Sequence, residues 1–153
     1  MPKVVALDSL DSARQYLQSV VESDGMGELL EWHIFSGDTL CGAIRLNHID
    51  IGNRTASVGY YLGAQHQGAG LATSAVRTVI KFAYQRLGFH RIELRCASNN
   101  VPSQRLAERL GFCWEGLLRQ AELIDGVYLD HFAYGLLRPD FEARAAAHVQ
   151  QAA

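Results

Sequence analysis

The chain has little sulfur, no surplus of one charge and no long apolar run. Its three cysteines (Cys41, Cys96 and Cys113) are widely spaced and odd in number, and no Cys-x-x-Cys occurs. That excludes a disulfide framework and a zinc ribbon, and it leaves reduced thiols as the expected state. The six histidines (His33, His48, His66, His90, His131 and His148) show no metal-ligand spacing, so no metal site is expected. Fourteen Lys and Arg stand against sixteen Asp and Glu, a formal net charge of -2, which gives no general attraction to nucleic acid or to an anionic membrane. No apolar run approaches the length of a membrane span. Met1 to Asp8 lack the long apolar core of a signal peptide, so a cytoplasmic protein is expected. There is no internal repeat, low-complexity tract or linker. What remains is 153 residues, 48% hydrophobic and 20% charged, which fits a single domain over 1–153 with a real core.

Hydrophobic periodicity places the elements. Leu10, Ala13, Leu17 and Val20/Val21 recur at helical spacing, which predicts a helix over 9–21, broken by Gly25-Met26-Gly27. Leu29 to Phe35 and Leu40 to His48 read as strands joined by a Gly37-Asp38 turn. Asn53-Arg54 marks another turn, and Thr55 to Leu62 a third strand. Ala72, Ala75/Val76, Val79/Ile80, Ala83 and Leu87 form one apolar stripe of a helix that Gly88 ends. Arg91 to Cys96 alternates as a half-buried strand does. Asn99 to Ser103 opens a short helix that buries Leu106, Ala107 and Leu110 and stops at Gly111. Phe112 to Leu118 and Val127 to Leu136 read as two final strands around an Ile124-Asp125-Gly126 turn. Residues 139–153 read as a peripheral helix or frayed tail. Strands with mostly hairpin connections and flanking helices predict a mixed α/β (α+β) sheet.

The stretch with most chemical content is Gln65-His66-Gln67-Gly68-Ala69-Gly70-Leu71-Ala72-Thr73, between the strand ending at Leu62 and the helix that follows. Small residues there let the backbone turn tightly and bring its N–H groups close to a ligand. The positive end of the helix dipole favours an anion such as a pyrophosphate. An ATP-type phosphate loop needs Lys and then Ser or Thr after the second glycine, and Leu71-Ala72 exclude it. A dinucleotide fingerprint wants a small residue where Thr73 stands and an acid closing the next strand, roughly where Glu93 lies. A Gln-x-x-Gly-x-Gly pyrophosphate arm of acyl-CoA N-acyltransferases is the third reading. A strand–turn–helix junction without ligand is the fourth.

A second set of residues bears on that choice: Leu94 to Ser103, then Ala107-Glu108-Arg109-Leu110-Gly111-Phe112, Glu115-Gly116 and Arg119-Gln120-Ala121-Glu122. Together with Gln65-x-x-Gly68-x-Gly70, this pattern resembles the GNAT superfamily of N-acetyltransferases. More closely, it resembles the branch holding the Rim-type ribosomal-protein N-terminal acetyltransferases. The likeness runs from about Leu40 to Leu137. It implies a mixed, mostly antiparallel twisted sheet with flanking helices. Against that pattern, the usual first strand and helix ahead of residues 9–21 are expected to be missing, and a homodimer is expected in compensation.

The resemblance implies roles by position. Gln67, Gly68, Ala69 and Gly70, with Ala72 and Thr73, would hold the pyrophosphate of acetyl-CoA. Tyr60, Tyr61 and Leu62 would pair with its pantetheine arm. Asn100 matches a residue that fixes the cofactor arm. Ser103 matches a proposed proton donor to the leaving thiolate, and Glu122 a proposed general base. Each also has a purely structural reading: Ser103 satisfies N–H groups in a helix's first turn, Asn100 is a cap, and Glu122 is a solvated acid on a strand. The implied reaction is direct acetyl transfer to a primary amine, a protein N-terminus such as that of a ribosomal protein or a small-molecule amine. No acyl-enzyme is expected, because the cysteines sit in apolar strands rather than beside a base. The alternatives are a non-catalytic acyl-CoA-binding or regulatory module and a dinucleotide-binding protein.

Overall fold

The structure is a computed structural model that describes residues 5–6, 14–15, 18–19, 22 and 26–152. The chain divides into two compact units, Met1–Ile92 and Glu93–Ala153.

In the first unit the strand order is β1-β2-β3-β4, with β1 Val5–Ala6, β2 Met26–Ser36, β3 Thr39–Asp50 and β4 Thr55–Leu62. β1 pairs with β2 in parallel, Val5 opposite Leu30. The expectation that the first strand is missing is therefore corrected: a strand of two residues is present at the edge beside β2. The remaining pairs are antiparallel. Arg14, Gln15, Gln18, Ser19 and Glu22 are helical, and Gln18 bonds Glu22 one turn on. The apolar stripe predicted there (Leu10, Ala13, Leu17, Val20 and Val21) lies outside the described residues, as does Gly25. Met26 and Gly27 are extended rather than helical, so the helix has ended before them as expected; they already belong to β2, opposite Asp50 and Ile49, three residues ahead of the predicted start at Leu29. A long ladder outweighs the modest strand cost of one glycine.

The Gly37-Asp38 turn forms as expected, with Gly37 at φ 58, a region open to glycine. Between β3 and β4, Asp50 accepts from the Asn53 N–H at 2.9 Å and from Asn53 Nδ2 at 2.8 Å. These bonds, the backbone one first, hold the Asp50 carboxyl below its ordinary range. α1, Leu71–Gln85, packs on β3 and β4 and buries Val76, Val79, Ile80, Ala83 and Tyr84. Leu30, Ile44 and Leu46, buried on the strands of this unit, share the sheet face of Trp32. Trp32 meets Phe82 edge to face at 5.8 Å. The predicted stripe is right up to Ala83. The helix, however, ends before Leu87, because Phe89 N–H turns back to the Ala83 carbonyl. Glu31 is buried but not isolated: Arg45, its cross-strand neighbour, and His33 both reach its carboxylate.

In the second unit the order is β5-β7-β6, with β5 Arg91–Ala97 entering from the first unit, β6 Cys113–Ile124 and β7 Val127–Leu137. α2 Val101–Leu110 lies between β5 and β6 in sequence, and α3 Arg138–Ala152 follows β7. Leu106, Ala107, Leu110, Phe112, Tyr134, Leu136 and Phe141 are buried. Asn100 Oδ1 caps α2 by accepting from the Ser103 N–H at 3.2 Å. Gly111, at φ 89, closes α2 with bonds to the Ala107 and Glu108 carbonyls. The Arg144 side chain lies over that closing turn.

β6 is longer than Phe112 to Leu118, running to Ile124. Its outer half is exposed and shows no apolar alternation. Pairing with β7 through a tight turn holds it, with Asp125 at φ 49 and Gly126 at φ 79. All three cysteines are free; Cys41 and Cys96 are buried as expected, whereas Cys113 is exposed at the start of β6. Among the described residues no helix is long and apolar enough to cross a membrane.

Candidate functional site

The glycine loop is built from the end of β4. Leu62 is buried opposite Gly42, and Gly63 N–H donates to the Cys41 carbonyl at 2.8 Å, which carries the β3–β4 ladder one residue past the strand. A short 3-10 turn over Ala64–His66 follows, and then the exposed run Gln67-Gly68-Ala69-Gly70. Gly68 and Gly70 are left-handed, at φ 86 and φ 75, a conformation that costs an L side chain roughly 1–2 kcal/mol. A Cβ at either would meet nothing within 4 Å. The two glycines are therefore required by backbone direction, and open space lies over them.

Gly70 is also the N-cap of α1, and no side chain caps the helix. The first-turn N–H groups of Leu71, Ala72 and Thr73 thus emerge uncapped beside the loop, where the helix dipole is positive. Thr73 and Ala72 are half-buried there. Two further features were not legible from spacing. Gln67 Nε2 donates to the Leu62 carbonyl at 3.1 Å, so its side chain straps the loop to β4, in addition to the backbone role expected of it. His66 Nε2 is buried and has no hydrogen-bond partner among the described residues.

Tyr60, Tyr61 and Leu62 continue the β4 ladder opposite Ile44, Ala43 and Gly42. Tyr61 is exposed, Tyr60 half-buried and Leu62 buried. Gly42 is needed for this approach: a Cβ on it would lie 2.0 Å from the Tyr61 carbonyl oxygen.

In the second unit, Asn100 and Ser103 are tied together by the cap bond. The capping role that competed for Ser103 belongs to Asn100, whose Oδ1 is engaged while its Nδ2 is left for another acceptor. Ser103 is buried, with 8% of its surface exposed, at the first turn of α2. Glu122 bonds neither of them. Its Oε2 meets His131 Nε2 at 2.7 Å across β6 and β7. His131 was noticed in the sequence only as a non-ligand; the Asp130-His131 pair on the facing strand is the signal that would have found it. Burial raises the Cys96 thiol, which makes it a poor nucleophile. Tyr134, buried on β7, has its phenol raised by desolvation first and then by Cys96 and Glu108. Both shifts keep these groups protonated at neutral pH, so Cys96 offers no thiolate nucleophile. Among the described residues no group of His, Cys, Asp or Glu is placed to hold a metal ion.

Comparison with known proteins bears on the same residues. The profile of the acetyltransferase (GNAT) domain matches residues 2–113, which spans both units. The Bacillus subtilis (strain 168) protein named "Probable N-acetyltransferase YjcK" is 41% identical over 108 residues, 70% of this chain and 60% of its own length. The ribosomal-protein-serine acetyltransferase of Escherichia coli (strain K12) is 34% identical over 124 residues, covering 81% of this chain and 69% of that protein. Among solved structures, the microcin C7 self-immunity acetyltransferase MccE, determined with acetyl-CoA and AMP, superposes with a TM-score of 0.68 at 32% identity. That match covers 83% of this chain and 70% of MccE. The chain thus spans about three fifths of the length of the first of these relatives.

Proposed function

Because the chain belongs to the acetyltransferase (GNAT) domain family, we propose that it transfers an acetyl group from acetyl-CoA to a primary amine. The observation that carries the proposal is the Gly68-Ala69-Gly70 turn, which presents the uncapped first-turn N–H groups of α1 at an exposed site. Such an arrangement fits a pyrophosphate: it offers several donors, a favourable dipole and no side chain in the way. Gln67, strapped to β4, fixes the loop before the ligand arrives, so less ordering entropy is lost on binding.

Acetyl-CoA supplies an acyl group activated as a thioester. The chain's own residues then have to orient it and handle protons. Asn100, with Nδ2 free of the cap, is assigned to hold the cofactor arm. Glu122, 46% exposed in its side chain, is assigned as the base that accepts the amine's proton through its unengaged Oε1. Ser103, buried in the first turn of α2, is assigned as the hydroxyl that returns a proton to the departing sulfur. The acceptor we favour is the N-terminal amine of a protein, in line with the ribosomal-protein-serine acetyltransferase at 34% identity. The same proposal includes a cytoplasmic setting, which free cysteines suit. It also includes a homodimer, for which the exposed Trp114, Leu117, Leu123, Val127 and Tyr128 of the β6–β7 hairpin are the candidate surface.

The test is thiol release from acetyl-CoA in the presence of amines: lysine-free peptides beginning with Ser or Ala, and spermidine. Amine-dependent release with one peptide strongly preferred is expected. Binding of acetyl-CoA with no release on any amine would favour the non-catalytic acyl-CoA-binding reading.

A further inference from the structure

The β6–β7 hairpin changes register between Leu118 and Glu122. Leu118 lies opposite His131, and Glu122 lies opposite Leu129. Arg119, Gln120 and Ala121 therefore face the single residue Asp130. Gln120 is left-handed, at φ 50, and its N–H donates to Asp130 Oδ1 at 2.8 Å. A bulge of this kind re-aims the side chains beside it, and here a carboxylate pins it in place. The residue that emerges from it is Glu122, whose Oε2 lies 2.7 Å from His131 Nε2.

An ionised carboxylate only accepts, so the proton of this bond sits on Nε2, and Nδ1 is the nitrogen free to be bare. The two partners differ in freedom: the His131 side chain is 18% exposed and that of Glu122 46%. A glutamate on a surface strand otherwise samples several rotamers. A charge-assisted bond to a largely buried imidazole selects one of them. Oε1 carries no bond from the described residues and is left to face solvent.

We propose that His131 is the positioning residue for Glu122, holding Oε2 so that Oε1 is presented to the acceptor amine. This rests on the reading of Glu122 as the base of an acetyl transfer. In that transfer the amine proton passes to Glu122 Oε1 and the nitrogen forms its bond to the acyl carbon. The carbon–sulfur bond breaks with its electron pair on sulfur, sulfur takes a proton from the Ser103 hydroxyl, and the proton held by Glu122 is passed through solvent to restore that hydroxyl, so the amine proton ends on the thiol. His131 neither gains nor loses a proton over the cycle, which is why it is a positioning residue rather than a catalytic one.

The experiment uses the full chain as wild type, His131→Gln, His131→Ala, Glu122→Gln and the double variant Glu122→Gln/His131→Ala. Acetyl-CoA and a lysine-free peptide beginning with Ser are the probes. His131→Ala is expected to lower kcat roughly 10- to 100-fold, the scale of a misplaced reacting group, with KM for acetyl-CoA unchanged. His131→Gln, which still offers an N–H near the same point, recovers most of that loss. In the Glu122→Gln background, His131→Ala costs nothing further, since its effect passes through Glu122. Nitrogen NMR of the imidazole, which needs no substrate, is expected to show a protonated Nε2 and a bare Nδ1 in wild type, with a changed signal in Glu122→Gln. An Nδ1-protonated tautomer, or an equal loss from His131→Ala with and without Glu122, would overturn the inference. A wild type that turns over no amine counts against the proposed activity, whereas the tautomer still decides the pairing.

Discussion

Gly42→Ala tests the packing on which the loop depends. A Cβ at this position would lie 2.0 Å from the Tyr61 carbonyl oxygen and 3.0 Å from both Leu62 Cα and Tyr61 C. All of these atoms are backbone, so no side chain can rotate away. The nearest contact has to open from 2.0 Å to at least 3.0 Å, which drives β3 and β4 apart by about 1 Å at Tyr61–Leu62. The Gly63 N–H to Cys41 carbonyl bond, at 2.8 Å, stands directly beside the intrusion and is lost or stretched. One or two weakened hydrogen bonds cost about 1 kcal/mol each, and overpacking adds roughly 1–3 kcal/mol. The expected loss is about 2–5 kcal/mol, or on the order of 4–20 °C in Tm for a chain of this size. Urea unfolding followed by circular dichroism measures it as a lower midpoint at unchanged slope. Because the displaced residues lead into the glycine loop, affinity for acetyl-CoA should fall as well. A Gly42→Ala protein within about 0.5 kcal/mol of wild type would refute the reasoning, since it would mean the strands are not held at this separation.

Asn100→Ala removes the side-chain cap of α2 and should cost about 1 kcal/mol, while Asn100→Asp retains most of it; thermal unfolding separates the two. Glu122→Gln should lower kcat about 10²-fold or more with acetyl-CoA affinity nearly intact, read by initial rates and calorimetry; unchanged turnover on a good acceptor removes Glu122 from the mechanism. The Tyr134 phenol is raised in the folded state, so its contribution is fully present below the unfolded value of about 10 and is lost as pH rises through the folded value. Stability should therefore fall from about pH 10 upward, and Tyr134→Phe should flatten that fall in alkaline melts.

Much of this arrangement was legible in the sequence where local and long-range preferences agree. β4 runs over Thr55–Leu62 as predicted, because a turn signal precedes it and the glycine loop follows it. Asn100 and Gly111 bound α2 as cap and stop, since capping chemistry is local. Where tertiary pairing decides, the pattern was silent. Gly27 ends the helical pattern as expected, but the sequence did not show that it already lies in the long β2–β3 ladder. The outer half of β6 carries a run of exposed residues with no period, and β7 alone holds it extended. His131 escaped notice for a related reason. Its meeting with Glu122 depends on a bulge that shifts register, and alternation along one strand cannot report the register between two.

The central claim is that the Gly68–Gly70 turn holds the pyrophosphate of acetyl-CoA. Calorimetric titration of wild type and Gly70→Ala with acetyl-CoA, and with NADH as control, tests it most directly. Gly70 has open space over it, so the alanine variant is expected to fold with a loss of only about 1–2 kcal/mol. The account predicts micromolar binding of acetyl-CoA to wild type, none of NADH, and at least a tenfold weaker acetyl-CoA affinity in the folded Gly70→Ala protein. Equal acetyl-CoA affinity in the two proteins, or binding of NADH instead, would contradict it.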